Sequence, residues 1–261
     1  AYGASGFERR VALKVLRPEL QGDGDAERVL LDEARLAGRI QHRNVVGVHD
    51  VGAAGGLVWV RMDWLDGGDL ATLTAGAPMP EGLALYVAHE LALALAWLHE
   101  RPDDDGRPLG LVHRDVSPHN VLVSRAGAKA TLHREDTQSG VRKGKYAYMS
   151  PEQVQAAPLS AASDRFALGV TLCELVTGAR PFDGEGPLDT MERIRDAAPP
   201  ALPGLAPDLR PLVHACLAQS PAARPTADAL CDALAQALAA RPPVDARHLG
   251  AWVAARTAAA L

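Results

Sequence analysis

The chain has 261 residues, 48% hydrophobic and 23% charged, which is enough apolar surface for one large domain or for two lobes of one enzyme. Its 27 Lys and Arg are scattered among 32 Asp and Glu, for a net charge of −5; no basic stripe marks a nucleic-acid footprint, and no nucleic-acid partner is expected. Three cysteines, Cys173, Cys216 and Cys231, form no C-x-x-C pair, and each lies in an apolar periodic segment, so buried reduced thiols and a cytoplasmic location are expected.

No apolar region ahead of a small-residue cleavage site marks a signal peptide. The longest apolar run, residues 83–98, contains His89 and Glu90 and reads as a buried helix, so no membrane span is expected within the chain. Residues 9–17, "RRVALKVLR", alternate branched apolar and polar positions and stop at Pro18, the pattern of a strand from which Lys14 projects. In "AERVLLDEARLAGRI", residues 26–40, Val29, Leu30, Leu36 and Ile40 recur at helical spacing with Glu33 among them. Strand-like pieces follow at 45–51 and 57–63. The paired glycines of "LDGGDL", residues 65–70, then mark a hinge between a strand-rich front and a helix-rich back.

Beyond the hinge a long helix is expected over 81–100, followed by the polar loop "RPDDDGRPLG" and the stretch "HRDVSPHNVLVS", residues 113–124. The segment 163–176 reads as an apolar helix capped by Ser163 or Asp164 and closed by Gly178. Further helical patterns run over 187–197, 207–218, 226–240 and 246–260. There is no internal repeat of 20 to 50 residues.

Six segments occur in a telling order: "VALK" (11–14), "DEAR" (32–35), "HRDVSPHN" (113–120), "YMSPE" (148–152), "SDRFALGV" (163–170) and "SPAARP" (220–225). With these motifs the chain resembles the catalytic domain of bacterial, eukaryotic-like serine/threonine protein kinases. The resemblance implies an α+β, two-lobed protein-kinase-like fold with a truncated strand-rich N-lobe (1–65), a mostly helical C-lobe (66–241) and a C-terminal helical extension (242–261). It also implies ATP and Mg2+ as cofactors, a protein substrate, and a sensor or transmembrane region outside this chain.

Roles follow residue by residue. Lys14, paired to Glu33, would present a fixed positive charge to the α and β phosphates of ATP. Asp115 would accept or orient the substrate hydroxyl proton, and Asn120 would offer a neutral oxygen to magnesium, a hard cation. Met62 would limit access behind the adenine, the backbone of Asp63 and Leu65 would meet the adenine edge, Asp69 the ribose, and Ala12 and Leu122 would sandwich the ring. Glu152 and Arg224 correspond to a structural ion pair, and Asp164, capping its helix, would hold the catalytic-loop backbone. His113 reads as a core histidine. Arg114, a buried charge beside Asp115 in this reading, would call for an anion, which points to Thr137 and Ser139 as phosphorylation sites unless Glu135 or Asp136 already neutralises it.

Two parts of the resemblance are missing. In "AYGASGFERRVALK" no G-x-G-x-x-G-x-V precedes Lys14, and no D-F-G follows Asn120. The joint between Gly127 and Lys129 reads as a deletion that removes a second strand; alternatively His133 or Asp136 stands in for the aspartate, although imidazole is a poor ligand for magnesium. Ser117 occupies the place of a phosphate-contacting lysine, and Lys145 that of a threonine near the catalytic aspartate, so either the two exchange hydroxyl and cation or Lys145 is a surface lysine. Three readings result: a kinase impaired by missing nucleotide- and metal-binding parts, a pseudokinase acting as a protein-binding scaffold, and a small-molecule phosphotransferase, which has no need of the peptide-docking "YMSPE".

Overall fold

Branched residues at alternate positions make Val11–Val15 the strand β1 in a computed structural model that describes residues 8–102, 105–106, 110–125, 130–132, 145–196 and 201–258. Helix α1 (Gly24–Gly38) begins where the Asp23 carboxylate accepts the N–H groups of Asp25 and Ala26. Strands β2 (Val48–Ala54) and β3 (Leu57–Asp63) complete an antiparallel sheet of order β1-β3-β2. Its register sets Ala12 opposite Met62 and Lys14 opposite Val60. One face of α1, carrying Ala26, Leu30 and Ala34 four residues apart, packs on Val60 and Met62 as a small separate core.

A second sheet of order β4-β5-β6 follows, built from β4 (Gly67–Asp69), β5 (Val121–Ser124) and β6 (Ala130–Leu132). β4 approaches β5 so closely that a Cβ on Gly67 would collide with the Val123 carbonyl; the paired glycines of the hinge are therefore also strand residues. β6 corrects the sequence reading, which removed a second strand at this place. Ala130–Leu132 pairs antiparallel with β5, Val121 opposite Leu132 and Val123 opposite Ala130. Three residues are too short a run for alternation to reveal a strand, so only the pairing identifies it.

The larger core is helical: α2 (Leu70–Thr74), α3 (Glu81–Glu100), α4 (Pro151–Val154), α5 (Ala161–Thr177), α6 (Pro187–Asp196), α7 (Arg210–Cys216), α8 (Ala227–Ala239) and α9 (Ala246–Ala258). Among the described residues, α3 is the one helix long and apolar enough to cross a membrane; Leu85, Leu91 and Leu95 on it are buried in this core. Helix α9 is no loose extension, because Leu249 and Val253 are fully buried in the same core and the helix packs on β4 and β5. Cys173 and Cys216 are buried free thiols, Cys231 is partly buried, and burial pushes the Cys216 thiol up to about 12, which leaves it inert.

Helix α5 starts earlier than the sequence reading placed it. Ser160 is the cap and reciprocates with Ser163 in a capping box, and Gly178 closes the helix at φ 75°. Asp164 is thereby freed from capping. Next to it, Ser163 donates to Glu152 Oε1 at 2.7 Å. Arg224 grips the same carboxylate with two bonds, 2.7 and 2.8 Å, donates to the Ala162 carbonyl at 2.9 Å, and lies over the Phe166 ring. Burial would raise the Glu152 carboxyl, but the bonds from Arg224 and Ser163 outweigh it and hold the group below the usual carboxylate range.

Removing one partner of this buried pair strands the other charge, so Arg224→Ala is expected to cost about 3–5 kcal/mol in chemical denaturation, and Glu152→Ala/Arg224→Ala less than the sum of the single changes. A carboxyl depressed in the folded state contributes stability above its unfolded pKa and loses it as pH falls through the folded value. The gap between wild type and Arg224→Ala should therefore narrow in acid, below about pH 4.

Candidate active site

Lys14 sits in the middle of β1, held opposite Val60, and Glu33 lies on the flank of α1 beside the residues that bury that helix. Their side chains meet, Lys14 Nζ to Glu33 Oε2 at 3.8 Å, both about one-fifth exposed. An ion pair this far removed from solvent restricts the rotamers of both side chains. Behind the pair lies an apolar cavity of about 110 Å³, lined by Leu30, Ala34, Val46, Val60 and Met62 and bordered by His113.

Ala12, Leu65 and Leu122 pack, partly buried, on the same small core as Met62. The strand registers explain the convergence: Ala12 is opposite Met62, and Leu122 is opposite Asp69. Apolar residues from both lobes thus meet at one place. The Asp63 side chain is engaged elsewhere. It accepts from the Gly47 N–H at 3.1 Å, lies 2.7 Å from His49 Nε2 and 3.3 Å from Arg9. Burial raises its pKa, but these bonds outweigh it, so the carboxyl lies below its ordinary value. Asp69 caps α2, with one oxygen accepting the Thr72 N–H and the other its hydroxyl, both at 2.8 Å.

The loop that carries Asp115 hangs from Asp164. This fully buried carboxylate accepts the N–H of His113 and of Arg114, each at 2.7 Å, and His99 Nε2 stands 2.8 Å away. Arg114 takes φ 70°, a left-handed conformation that costs an L-residue energy and persists only where its neighbours impose it. Asp115, half-buried, turns its N–H toward His113 Nδ1 at 3.4 Å, and its carbonyl accepts from Asn120 Nδ2 at 2.8 Å. Two buried oxygens in this loop have no hydrogen-bond partner, Ser117 Oγ and Asn120 Oδ1. An orphaned amide oxygen fits the coordination preference of magnesium. Among the described residues no group of three or more His, Cys, Asp or Glu is placed to hold a metal ion.

Several sequence expectations change at this point. Arg114 is exposed, so solvent screens its charge, and the reason for requiring a phosphate partner weakens. Thr137 and Ser139 lie outside the described residues, as do His133, Asp136 and the Lys145 side chain; the Lys145 backbone opens a 3-10 turn through Tyr148. Sequence reasoning missed His99 as an Asp164 neighbour. It also missed Glu90 as an anchor: this buried carboxylate accepts from Asn44 at 2.9 Å and Arg43 at 2.6 Å and fastens the α1–β2 connection to α3. A glutamate inside an otherwise apolar run was the available signal, since such a charge needs partners.

A family model described as protein kinase domain matches residues 4–234. The chain is 36% identical over 236 residues to the tyrosine-protein kinase MasK of Myxococcus xanthus, covering 84% of this chain and 36% of that protein. It is 34% identical over 232 residues to the serine/threonine-protein kinase PknA of Mycobacterium tuberculosis, covering 83% of this chain and 52% of the relative. The chain thus spans between about a third and a half of the length of these relatives. The solved kinase domain of Mycobacterium tuberculosis PknI, in a cysteine-to-alanine mutant, superposes with a TM-score of 0.66 at 29% identity, over 89% of this chain and 86% of that one. With a strand lysine paired to a helix glutamate, a catalytic loop suspended from a buried aspartate, and a family match over most of its length, this chain belongs to the protein kinase domain family.

Proposed function

We propose that the chain is the catalytic domain of a protein serine/threonine kinase that transfers the γ-phosphate of ATP to hydroxyl side chains of protein substrates. The observation that carries this reading is the joint placement of the Lys14–Glu33 pair and of Asp115 in a loop fixed by Asp164. Protein kinases as a family use ATP and magnesium. In this chain Lys14 would bind the α and β phosphates. Ala12 and Leu122 would enclose the adenine, the backbone of Asp63 and Leu65 would meet its edge, and Met62 would close the space behind it. Asp69 keeps lone pairs for the ribose while capping α2.

Asp115 would take the hydroxyl proton as the substrate oxygen bonds to the γ-phosphorus and the bond to the β-phosphate oxygen breaks, releasing ADP. When bound, magnesium supplies charge stabilisation to the phosphates, and Asn120 Oδ1 is the residue atom that would hold one ion. The sequence has no D-F-G aspartate. Metal stabilisation of phosphoryl charge amounts to several kcal/mol, and each ~1.4 kcal/mol is tenfold in rate, so transfer by this chain as written should be slow. The same gap favours a second reading, a pseudokinase that serves as a protein-binding scaffold.

The kinase domain would occupy residues 1–261, with an N-lobe to 65, a C-lobe over 66–241 and the last helix beyond. Thr137 and Ser139 would be the autophosphorylation sites, with Arg114 as the cation that would pair with a phosphate. The free thiols support a cytoplasmic location, and the longer relatives support a sensor or membrane region elsewhere in the parent protein.

The test is transfer of labelled phosphate from ATP to a generic basic protein, followed by phosphoamino-acid analysis. Phosphoserine and phosphothreonine, lost on Asp115→Asn and increased when the Gly-rich hairpin and a D-F-G strand are grafted in, are the expected outcome. Phosphotyrosine would shift the specificity toward that of the Myxococcus relative, and no transfer even from the grafted chain would favour the scaffold.

A second prediction concerns Ser117, whose hydroxyl is buried without a partner, and Lys145. If the two exchange hydroxyl and cation near Asp115, Lys145→Ala should lower turnover of the grafted enzyme by more than about tenfold, and Ser117→Lys should restore part of it. Purely additive effects in the double-mutant cycle would show that the two positions are not coupled.

A further inference from the structure

We propose that Gln153 is a positioning residue for Asp115, joining the peptide-docking element to the catalytic loop. The proposal rests on the reading of Asp115 as the proton acceptor. Gln153 stands on the short helix α4, next to Glu152, which the Arg224 pair fixes in the C-lobe. Its carboxamide is engaged at both ends. Oε1 accepts from the Ser150 N–H at 2.9 Å and the Ser150 hydroxyl at 3.2 Å, which completes the capping box of α4. Nε2 reaches across to donate to the Arg114 carbonyl at 2.9 Å.

That carbonyl belongs to the peptide unit whose nitrogen is Asp115 N, so the bond fixes the plane from which the Asp115 side chain departs. Arg114 is also the residue in the left-handed region. Its N–H is held by Asp164 at 2.7 Å and its C=O by Gln153. Two helices, α5 and α4, therefore grip the two ends of one strained residue, and neither bond alone determines both of its torsions. The primary amide is the chemistry this requires: an acceptor for the helix cap and a donor for the loop, on one rigid planar group. A misplacement of the reacting groups by about 1 Å is enough to slow a positioned reaction by ~100-fold.

Two variants separate positioning from capping. Gln153→Glu keeps the acceptor that caps α4 and removes the donor to Arg114; Gln153→Ala removes both. If the bridge positions Asp115, both variants lower kcat by about tenfold or more with the KM for ATP unchanged. In both, amides of residues 113–117 exchange with deuterium several-fold faster, while thermal stability falls only for Gln153→Ala. If capping is the whole role, Gln153→Glu matches wild type in kcat and in exchange, and the proposal is overturned. Hydrogen exchange needs no turnover. Should wild type itself transfer no phosphate, the kinase reading fails separately, and unchanged exchange at 113–117 in both variants would still overturn the bridge.

Discussion

The arrangement of the site depends on one buried carboxylate. Asp164 is almost wholly removed from solvent, and an unpaired charge there would be prohibitively costly. The backbone N–H groups of His113 and Arg114, together with the His99 ring, supply the compensation. Because those donors belong to the loop that carries Asp115, satisfying Asp164 and placing Asp115 are the same event. Helix α5 makes this possible: Phe166, Leu168, Val170 and Leu175 bury it in the helical core, so the carboxylate projects from a helix held by packing along most of its length. Its early start at Ser160 sets Asp164 inside the first turn and free to bond outward.

The remaining parts are attached to the same centre by polar contacts of a similar kind. Ser163, one residue before Asp164, donates to Glu152, and Arg224 encloses that carboxylate. The α1–β2 connection is moored to α3 through Glu90, so the lobe that carries Lys14 and Glu33 is tied to the lobe that carries Asp115. Apolar packing supplies the bulk of the stability. Four buried side chains, Asp164, Glu152, Arg224 and Glu90, set the register between packed elements, and each has partners that neutralise or hydrogen-bond it.

Much of this was legible in the sequence, and the reasons differ by element. The long helices announce themselves by period and length: α3 runs over 81–100 as the apolar run implied, and α8 and α9 fall within a residue or two of their patterns. The strand that bears Lys14 and the helix that bears Glu33 could be read from alternation and spacing, and their proximity from the resemblance. The failures are local. Ser163 and Asp164 both look like caps, and choosing Ser160 requires knowing that Asp164 is needed elsewhere. β6 is three residues without a distinctive composition. Arg114 reads as buried because it adjoins Asp115, whereas it is exposed and its backbone is left-handed. The bonds from Gln153 and His99 to the loop and its anchor link residues 39 and 65 positions apart, a separation at which a single sequence carries no pairing signal.

We propose that the two lobes form a nucleotide site organised around Lys14, although the sequence lacks a Gly-rich loop and a D-F-G. Calorimetric titration of the chain with ATP tests it most directly, because binding can be read without turnover. Saturable one-to-one binding that weakens by about tenfold or more in Lys14→Met is the expected result, because a charge-assisted contact to phosphate is removed. No measurable binding, or equal affinity in wild type and Lys14→Met, would contradict it.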